Sequence, residues 1–254
     1  MRTALADAWV VTTRNLRRIP RQPDLLMAFT IQPVMFVLLF VYVFGGAIRT
    51  PGMDYVDFLM PGIIVQTISF GGFLTAVGLS EDLGKGLIDR FRSLPMARSA
   101  VLAGRTIADM AMNTLSITIM VIVGVIAGFS FSTSVPEVAA GIAMLLLFGF
   151  AFSWLFALIG LSVSSPESAN GVGFVLIFPL TFASSAFVPV DSMPEVLRAF
   201  AKVNPFTIEV DAIRHLFVGT PAGNSVWGAL AWTIGLIAVF APVAVRKYRS
   251  VATR

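Results

Sequence analysis

Residues 138–166 read VAAGIAMLLLFGFAFSWLFALIGLSVSSP and contain no Asp, Glu, Lys or Arg over 29 positions. A helix of about 20 apolar residues is long enough to cross the hydrocarbon layer of a bilayer, so this stretch predicts a membrane span. Five more stretches lack the same four residue types: residues 25–48, 58–80, 110–136, 168–190 and 215–245. A soluble core does not need six such runs. The chain is therefore predicted to be an all-α integral membrane protein with six transmembrane helices.

The expected spans form a single transmembrane domain over residues 1–254. They are placed at about residues 25–48, 58–80, 106–130, 138–163, 168–190 and 224–245. The alternative for the first of them is a secretory signal peptide, whose apolar region runs about 7–15 residues. The first stretch has 24 uncharged residues, which is too long for that, and it is interpreted as a span.

The basic residues predict the orientation of the spans. Of the 18 Lys and Arg residues, 14 lie before the first uncharged stretch, between the second and third, or after the sixth. The remaining four lie in the other connections. Because loops rich in Lys and Arg stay in the cytoplasm, both termini are expected on the cytoplasmic side.

Composition excludes several classes of function. The formal net charge of +4 comes from basic clusters beside apolar stretches, which favours a lipid membrane over nucleic acid as the partner. Cysteine is absent and His215 is the only histidine, so the chain offers no cluster of metal ligands. The sequence also lacks a Gly-x-x-x-x-Gly-Lys-[Ser/Thr] phosphate loop. We therefore predict no catalytic residue, no metal and no cofactor bound by this chain itself.

Residues 1–24 predict an amphipathic helix in the cytoplasmic interface of the membrane. Apolar and small residues recur at helical intervals, and the arginines lie largely off their stripe; the stripe consists of Leu5, Trp9, Thr12, Leu16 and Ile19. The alternative is a basic tail that only sets orientation.

Residues 81–105 form the longest charged connection and predict a short cytoplasmic helix between the second and third spans. An apolar stripe at helical spacing faces away from most of the charges; it consists of Leu83, Leu87, Phe91 and Leu94. Pro95 ends the helix. One apolar and one charged side suit docking to another protein, and the alternative is a solvated loop.

The connection between the fifth and sixth spans predicts two short helices. Ser192 and Glu195 have the spacing of a capping box, with a helix running to Val203. Asn204 and Pro205 break it, and a second helix over residues 208–218 ends at a glycine. Because both pieces are too short to span, we expect re-entrant or interfacial helices.

Charged and polar groups at membrane depth are the remaining candidates for chemistry. Asp109 lies four residues after Arg105 on one helical face, which indicates an interfacial ion pair; the alternative is a proton relay. Uncharged polar and aromatic residues of the spans predict an apolar pathway for a solute. The candidate pathway residues are Gln66, Ser69, Phe70, Phe73, Thr181 and Ser184.

Two segments resemble a known family. Residues 81–96, EDLGKGLIDRFRSLPM, followed by Gly104 and Arg105, resemble the hallmark loop of the type-2 ABC exporter permeases, in particular the daunorubicin-resistance-like bacterial branch. NPFT at residues 204–207 and DAIR at residues 211–214 resemble the segment before the last span of that family. One departure is that residues 85–87, KGL, stand where the family more often has a Gly-Thr pair.

The resemblance implies the transmembrane subunit of an ATP-driven exporter in the bacterial cytoplasmic membrane, moving a hydrophobic or amphipathic drug, polyketide or lipid. It implies a coupling helix that docks on a separate ATP-binding cassette subunit, which supplies ATP and Mg²⁺, and a second permease copy, identical or paralogous. The residues it assigns to coupling are Gly86, Asp89, Arg90, Arg92, Ser93 and Pro95. The alternatives are an ion-coupled multidrug transporter that acts alone and a purely structural membrane partner.

Overall fold

The computed structural model describes residues 9–14, 23–45, 48, 50, 52–85 and 98–251. Every regular element within these residues is a helix. A helix satisfies its backbone N–H and C=O groups inside one segment, as a bilayer requires. The all-α prediction is therefore confirmed for the described residues.

The helices follow one another with short connections. In chain order they are α1 (Pro23–Leu38, continued by a π-helical stretch over Leu39–Phe44), α2 (Tyr55–Gly71), α3 (Phe73–Gly84), α4 (Arg98–Ile126), α5 (Val135–Gly160), α6 (Pro166–Phe182), a 3₁₀ turn (Val190–Ser192), α7 (Glu195–Val203), α8 (Pro205–Val218) and α9 (Ser225–Val251). Residues 9–14 are also helical and are called here the N-terminal segment.

Four helices among the described residues are long and apolar enough to cross a membrane. They are Tyr55–Gly84, Leu102–Ile126, Val135–Gly160 and Ser225–Ser250, at the second, third, fourth and sixth predicted spans. At the first predicted span the apolar helix Ile31–Phe44 is shorter, and at the fifth α6 has 17 residues. The count of six spans therefore stays a prediction.

The fifth predicted span ends earlier than its apolar sequence. The helix stops at Phe182, where the sequence predicted a span to residue 190. Its last carbonyl groups have partners outside the helix, because the side chain of Asn204 binds the Leu180 and Ala183 carbonyl oxygens. A helix whose terminal acceptors are occupied in this way does not need to continue.

The second span has a one-residue interruption at Gly72, where the backbone keeps right-handed helical angles (φ −64°, ψ −18°); we call this interruption the break. Helix α2 ends at Gly71 and α3 begins at Phe73. A Cβ atom on Gly71 would overlap the side chain of Asn113, and one on Gly72 would overlap the ring of Phe156. Neighbouring helices therefore approach the backbone at this point in a way that only glycine permits.

Helix α8 is packed into the main hydrophobic core. The ring of Phe206 lies edge-on to Phe148 of α5 at 5.7 Å and to Phe152 at 5.5 Å between centroids. By contrast, α7 leaves its apolar face open, and Val196 is 84% exposed. Helix α8 is thus buried and α7 is exposed, although the sequence predicted re-entrant or interfacial helices for both.

The predicted capping box before α7 is wrong. Helix α7 starts at Glu195 with Pro194 at the N-cap and no side-chain cap. The Ser192 hydroxyl instead donates a hydrogen bond of 2.6 Å to the carbonyl oxygen of Pro189. This bond closes the 3₁₀ turn that precedes the helix, and the hydroxyl is therefore not available as a cap.

Asn204 joins three segments, and its removal should destabilise the fold. Its Nδ2 donates to Leu180 O at 2.7 Å and to Ala183 O at 2.8 Å, and its Oδ1 accepts from the N–H of Phe206 at 2.9 Å. The residue is 1% exposed, so Asn204→Ala leaves buried groups without partners. We expect a loss of about 1–3 kcal/mol, measured as a lower Tm in detergent. Val196→Ala, at an exposed position of α7, is the control; equal Tm values for both variants would contradict this role.

Candidate functional site

Three charged side chains meet at the end of α3 that leads into residues 86–97. Asp82 Oδ2 accepts a hydrogen bond of 2.8 Å from Arg105 Nη1 of α4. Arg14 Nη2 of the N-terminal segment lies 3.9 Å from the same oxygen. We call Arg14, Asp82 and Arg105 the basal cluster. Because Asp82 is buried, this paired arrangement holds three separate segments in register.

The N-terminal segment packs against the first part of α4. The Thr12 hydroxyl donates to the Gly104 carbonyl oxygen at 3.0 Å, and Val11 is buried while Trp9 is exposed. One side of the segment therefore faces the protein and another is open. Its place in the membrane interface stays a prediction.

The predicted ion pair between Asp109 and Arg105 is wrong. Arg105 forms its ion pair with Asp82, and the buried Asp109 accepts a hydrogen bond from the Thr75 hydroxyl of α3. The carboxylates of Asp82 and Asp109 thus each bind a residue of the neighbouring helix. Neither pairs with a described residue one turn away on its own helix. These two contacts bind α3 to the base of α4.

The residues assigned to coupling lie outside the described residues, so their role stays a prediction. This applies to Gly86, Asp89, Arg90, Arg92, Ser93 and Pro95. What the structure describes is the preceding turn, where Lys85 Nζ lies 3.1 Å from Glu81 Oε2, and the basal cluster beside it. The segment thus starts next to a firmly held end of α3.

An aromatic cavity of about 440 Å³ lies between α1, α2, α3 and α6. Six phenylalanines and three carboxamides dominate its wall: Phe36, Phe70, Phe73, Phe174, Phe178, Phe182, Gln32, Gln66 and Asn170. The rings of Phe70 and Phe73 are stacked at 5.3 Å, and Phe174 meets Phe70 edge-on at 6.1 Å. Flat aromatic walls with a few hydrogen-bonding groups suit an apolar or amphipathic solute.

The predicted pathway residues fall into two groups. Gln66, Phe70 and Phe73 line the aromatic cavity. The hydroxyls of the other three are buried and donate to backbone carbonyl oxygens within their own segments: Ser69 to Val65, Thr181 to Ile177 and Ser184 to Thr181. A hydroxyl that satisfies its own helix in this way is typical of serine and threonine in apolar surroundings.

The wall formed by α6 was missed at the sequence level. Asn170, Phe174, Phe178 and Phe182 all line the cavity and are spaced by four residues. Spacing of four places side chains on one helical face. The signal was therefore present, but only the neighbouring helices tell which face encloses a cavity.

A second polar centre surrounds the buried Arg214 of α8. Its guanidinium donates to Phe58 O of α2 at 3.0 Å and to Ser185 O at 2.9 Å. It also donates to Asp211 Oδ1 at 2.7 Å and lies 3.9 Å from the centre of the Phe58 ring. This Arg214 network attaches α8 to α2 and to the connection after α6.

The helices and the cavity define an all-helical, multi-pass membrane protein. No group of three or more His, Cys, Asp or Glu side chains able to hold a metal occurs in the part of the chain that the structure describes. The chain belongs to the ABC-2 type transporter family, which matches residues 6–218. The family identified from residues 81–96 and 204–214 is thereby confirmed.

Named relatives cover almost the whole chain. It is 35% identical over 248 residues to a daunorubicin resistance ABC transporter permease protein of Streptomyces coeruleorubidus, covering 98% of this chain and 88% of that one. It is 24% identical over 253 residues to a probable doxorubicin resistance ABC transporter permease protein of Mycobacterium tuberculosis, covering 99% and 91%. A putative transport permease of Cyanophora paradoxa is 27% identical over 217 residues, covering 84% and 74%.

The path of Arg105 toward Asp82 depends on a glycine, which allows a direct test of the basal cluster. A Cβ atom at Gly78 would overlap the Arg105 guanidinium. We expect Gly78→Ala to displace the flexible end of Arg105 from Asp82 and to lower stability by about 1–3 kcal/mol, because a buried carboxylate loses its hydrogen bond; the measurement is Tm. Gly235→Ala is the matched control, because a Cβ atom there meets open space. A change in Tm for Gly78→Ala equal to that for Gly235→Ala would contradict a stabilising role of the Arg105–Asp82 contact.

Proposed function

We propose that this chain is the permease subunit of an ATP-driven ABC exporter that moves a hydrophobic or amphipathic drug, polyketide or lipid across the bacterial cytoplasmic membrane. One observation carries the proposal: α3 contributes Phe73, Leu74 and Val77 to the aromatic cavity and Asp82 to the basal cluster. The family and the drug-resistance names of the relatives support it.

Helix α3 can transmit movement from its base to the cavity. It has 12 residues, a length of about 18 Å at 1.5 Å per residue. Its contacts with α4, through Asp82 and Thr75, make the two helices move together. A force applied to the connection after α3 would therefore displace one wall of the cavity.

A hinge at Gly72 would let this wall move while α2 stays in place. On the α2 side of Gly72, the guanidinium of Arg214 donates hydrogen bonds to the Phe58 carbonyl oxygen. On the α3 side of Gly72, the basal cluster joins Asp82 of α3 to Arg105 of α4. Because both helix fragments line the cavity, a change of angle at Gly72 would reshape the solute site, as hinge motions do.

The energy for this movement would come from a separate subunit. The sequence has no phosphate loop, so ATP and Mg²⁺ are proposed to act in a cytoplasmic ATP-binding cassette partner that contacts residues 86–95. ATP drives alternating access only through a difference in its affinity for the two states of that partner. The segment includes Arg90 and Arg92, whose charges suit a polar docking surface.

A second permease copy is proposed to complete the pathway. Apolar residues of α1 and α6 remain exposed beside the cavity, among them Met35 and Val175. Contiguous exposed apolar surface marks contact with lipid or protein. In this arrangement residues 1–254 form one transmembrane domain of six spans with both termini in the cytoplasm, and the helices α7 and α8 lie on the outer side.

Loss of the docking charges should release the ATPase partner. We expect an ATP-binding cassette subunit to copurify with the full chain and to be lost from the double variant Arg90→Glu, Arg92→Glu, because the charge reversal repels its surface. The control is Arg246→Glu, Lys247→Glu, which reverses two charges at the other end of the chain. Equal copurification of both variants, or transport by the isolated chain under an ion gradient without ATP, would favour the ion-coupled alternative.

Removal of an aromatic wall should weaken solute binding. For Phe70→Ala we expect the Kd of a planar fluorescent amphiphile to rise about tenfold, since the ring lines the cavity and one aromatic contact with the solute contributes about 0.5–1.5 kcal/mol. Fluorescence titration of the purified chain measures this value. Phe200→Ala removes an exposed ring of α7 as the control. If both variants bind equally well, the cavity is not the solute site.

A further inference from the structure

Glu209 of α8 is a fully buried acid without a partner. It is 0% exposed, and neither of its carboxyl oxygens has a hydrogen-bond partner among the described residues. Among the residues whose burial the structure describes, the two other buried acids differ from it, because Asp82 pairs with Arg105 and Asp109 accepts a hydrogen bond from Thr75. An ionised carboxylate in such surroundings is strongly disfavoured unless it is paired.

The residues that flank Glu209 on its face of α8 are apolar. Its neighbours one helical turn away are Phe206 and Ile213, both fully buried. Leu216, two turns later on the same face, packs against Gly141 of α5. Glu209 thus lies on a face of α8 that enters the helix core instead of facing solvent.

The basic side chains on α8 itself bind groups other than Glu209. Arg214 lies five residues later, on a different face of the helix, and its guanidinium binds Phe58 O, Ser185 O and Asp211. The His215 ring binds the Thr220 carbonyl oxygen. Neither side chain forms a hydrogen bond or an ion pair with Glu209.

The elements packed against α8 add no charge partner either. On α2, Asp57 accepts from the N–H of Ser130; on α5, Glu137 accepts from Ser134; on α7, Arg198 donates to carbonyl oxygens of residues 191 and 193. The remaining titratable groups on these elements are Tyr55 of α2, Glu167 of α6, Glu195 and Lys202 of α7, and Arg246, Lys247, Tyr248 and Arg249 in the last turns of α9. Burial raises the pKa of the Glu209 carboxyl well above its ordinary value.

We propose that Glu209 is a proton-binding site whose occupancy is coupled to the seating of α8 in the helix core. When α8 is seated, the carboxyl is the neutral acid. When α8 separates from α5 and α9, the O–H bond of the acid breaks, the proton passes to water, and the carboxylate is hydrated. This proposal goes beyond ATP-driven export and does not depend on it.

The coupling has a definite sign. An exposed glutamate loses its proton near pH 4.3, whereas the seated form needs the proton to stay neutral. Seating therefore takes up one proton and is favoured at low pH. Above the ordinary range of glutamate, the ratio of open to seated helix rises by up to about tenfold per pH unit.

Cysteine labelling of the full chain measures the seating of α8. The sequence contains no cysteine, so Ala212→Cys places a single thiol at a buried position of α8. Its rate of reaction with a maleimide is measured from pH 5.5 to 8.5 and divided by that of Lys202→Cys, an exposed position of α7, which corrects for the chemistry of the thiol. We expect the ratio to rise with pH and to be flat when Glu209→Gln, a neutral residue of similar shape, is added.

Infrared spectroscopy tests the protonation state directly and also serves if Ala212→Cys does not fold. At neutral pH the purified chain should show the carbonyl band of a protonated carboxylic acid, and Glu209→Gln should lack it. Absence of that band in the unmodified chain would overturn the site. A band together with a labelling ratio that does not depend on pH would overturn the coupling. Because both measurements use the chain without an ATPase, they remain valid if the exporter function is wrong.

Discussion

The buried guanidinium of Arg214 joins segments that are far apart in the chain. It binds the Phe58 carbonyl oxygen at the start of the second span, the Ser185 carbonyl oxygen after α6, and Asp211 on its own helix. A cation inside apolar surroundings is tolerated only with a full set of acceptors, so these segments must stay together. Asn204 strengthens the same junction by binding the end of α6. Polar contacts therefore join α2, the end of α6 and α8 at one end of the molecule.

The opposite end is held by a different set of polar contacts. Asp82 and Arg105 join α3 to α4, and Arg14 lies close to the same carboxylate. Thr75, about two helical turns from Asp82 on α3, donates a hydrogen bond to Asp109, about one turn from Arg105 on α4. Between the two ends lie the break at Gly72 and the aromatic cavity. The apolar middle contains few directional bonds, so movement there breaks fewer of them than at either end.

Buried polar groups in this fold differ in whether they have a hydrogen-bond partner. Most of the described ones take a partner from another helix or from their own backbone, and the exceptions are mainly neutral hydroxyls and amides. Glu209 is different because it is an acid without a partner on α8, the helix that carries Arg214. The Glu209 carboxyl is stable in this position only in its neutral form. Its protonation is therefore linked to the position of α8. The same low dielectric that favours the Arg214 network disfavours an ionised Glu209.

The sequence by itself determined the helical class, the apolar stretches, the break at Asn204 and Pro205, and the family, because these are properties of consecutive residues. Orientation and the number of spans remain inferences from charge and length. Only the tertiary structure decided that Arg105 binds Asp82 instead of Asp109, that Ser69, Thr181 and Ser184 bond to backbone while Gln66 faces the cavity, and that Glu209 is enclosed. Periodicity defines the faces of a helix, but the neighbour that each face meets depends on how distant segments pack. The partner of a buried polar group is therefore chosen by packing and not by spacing along the chain.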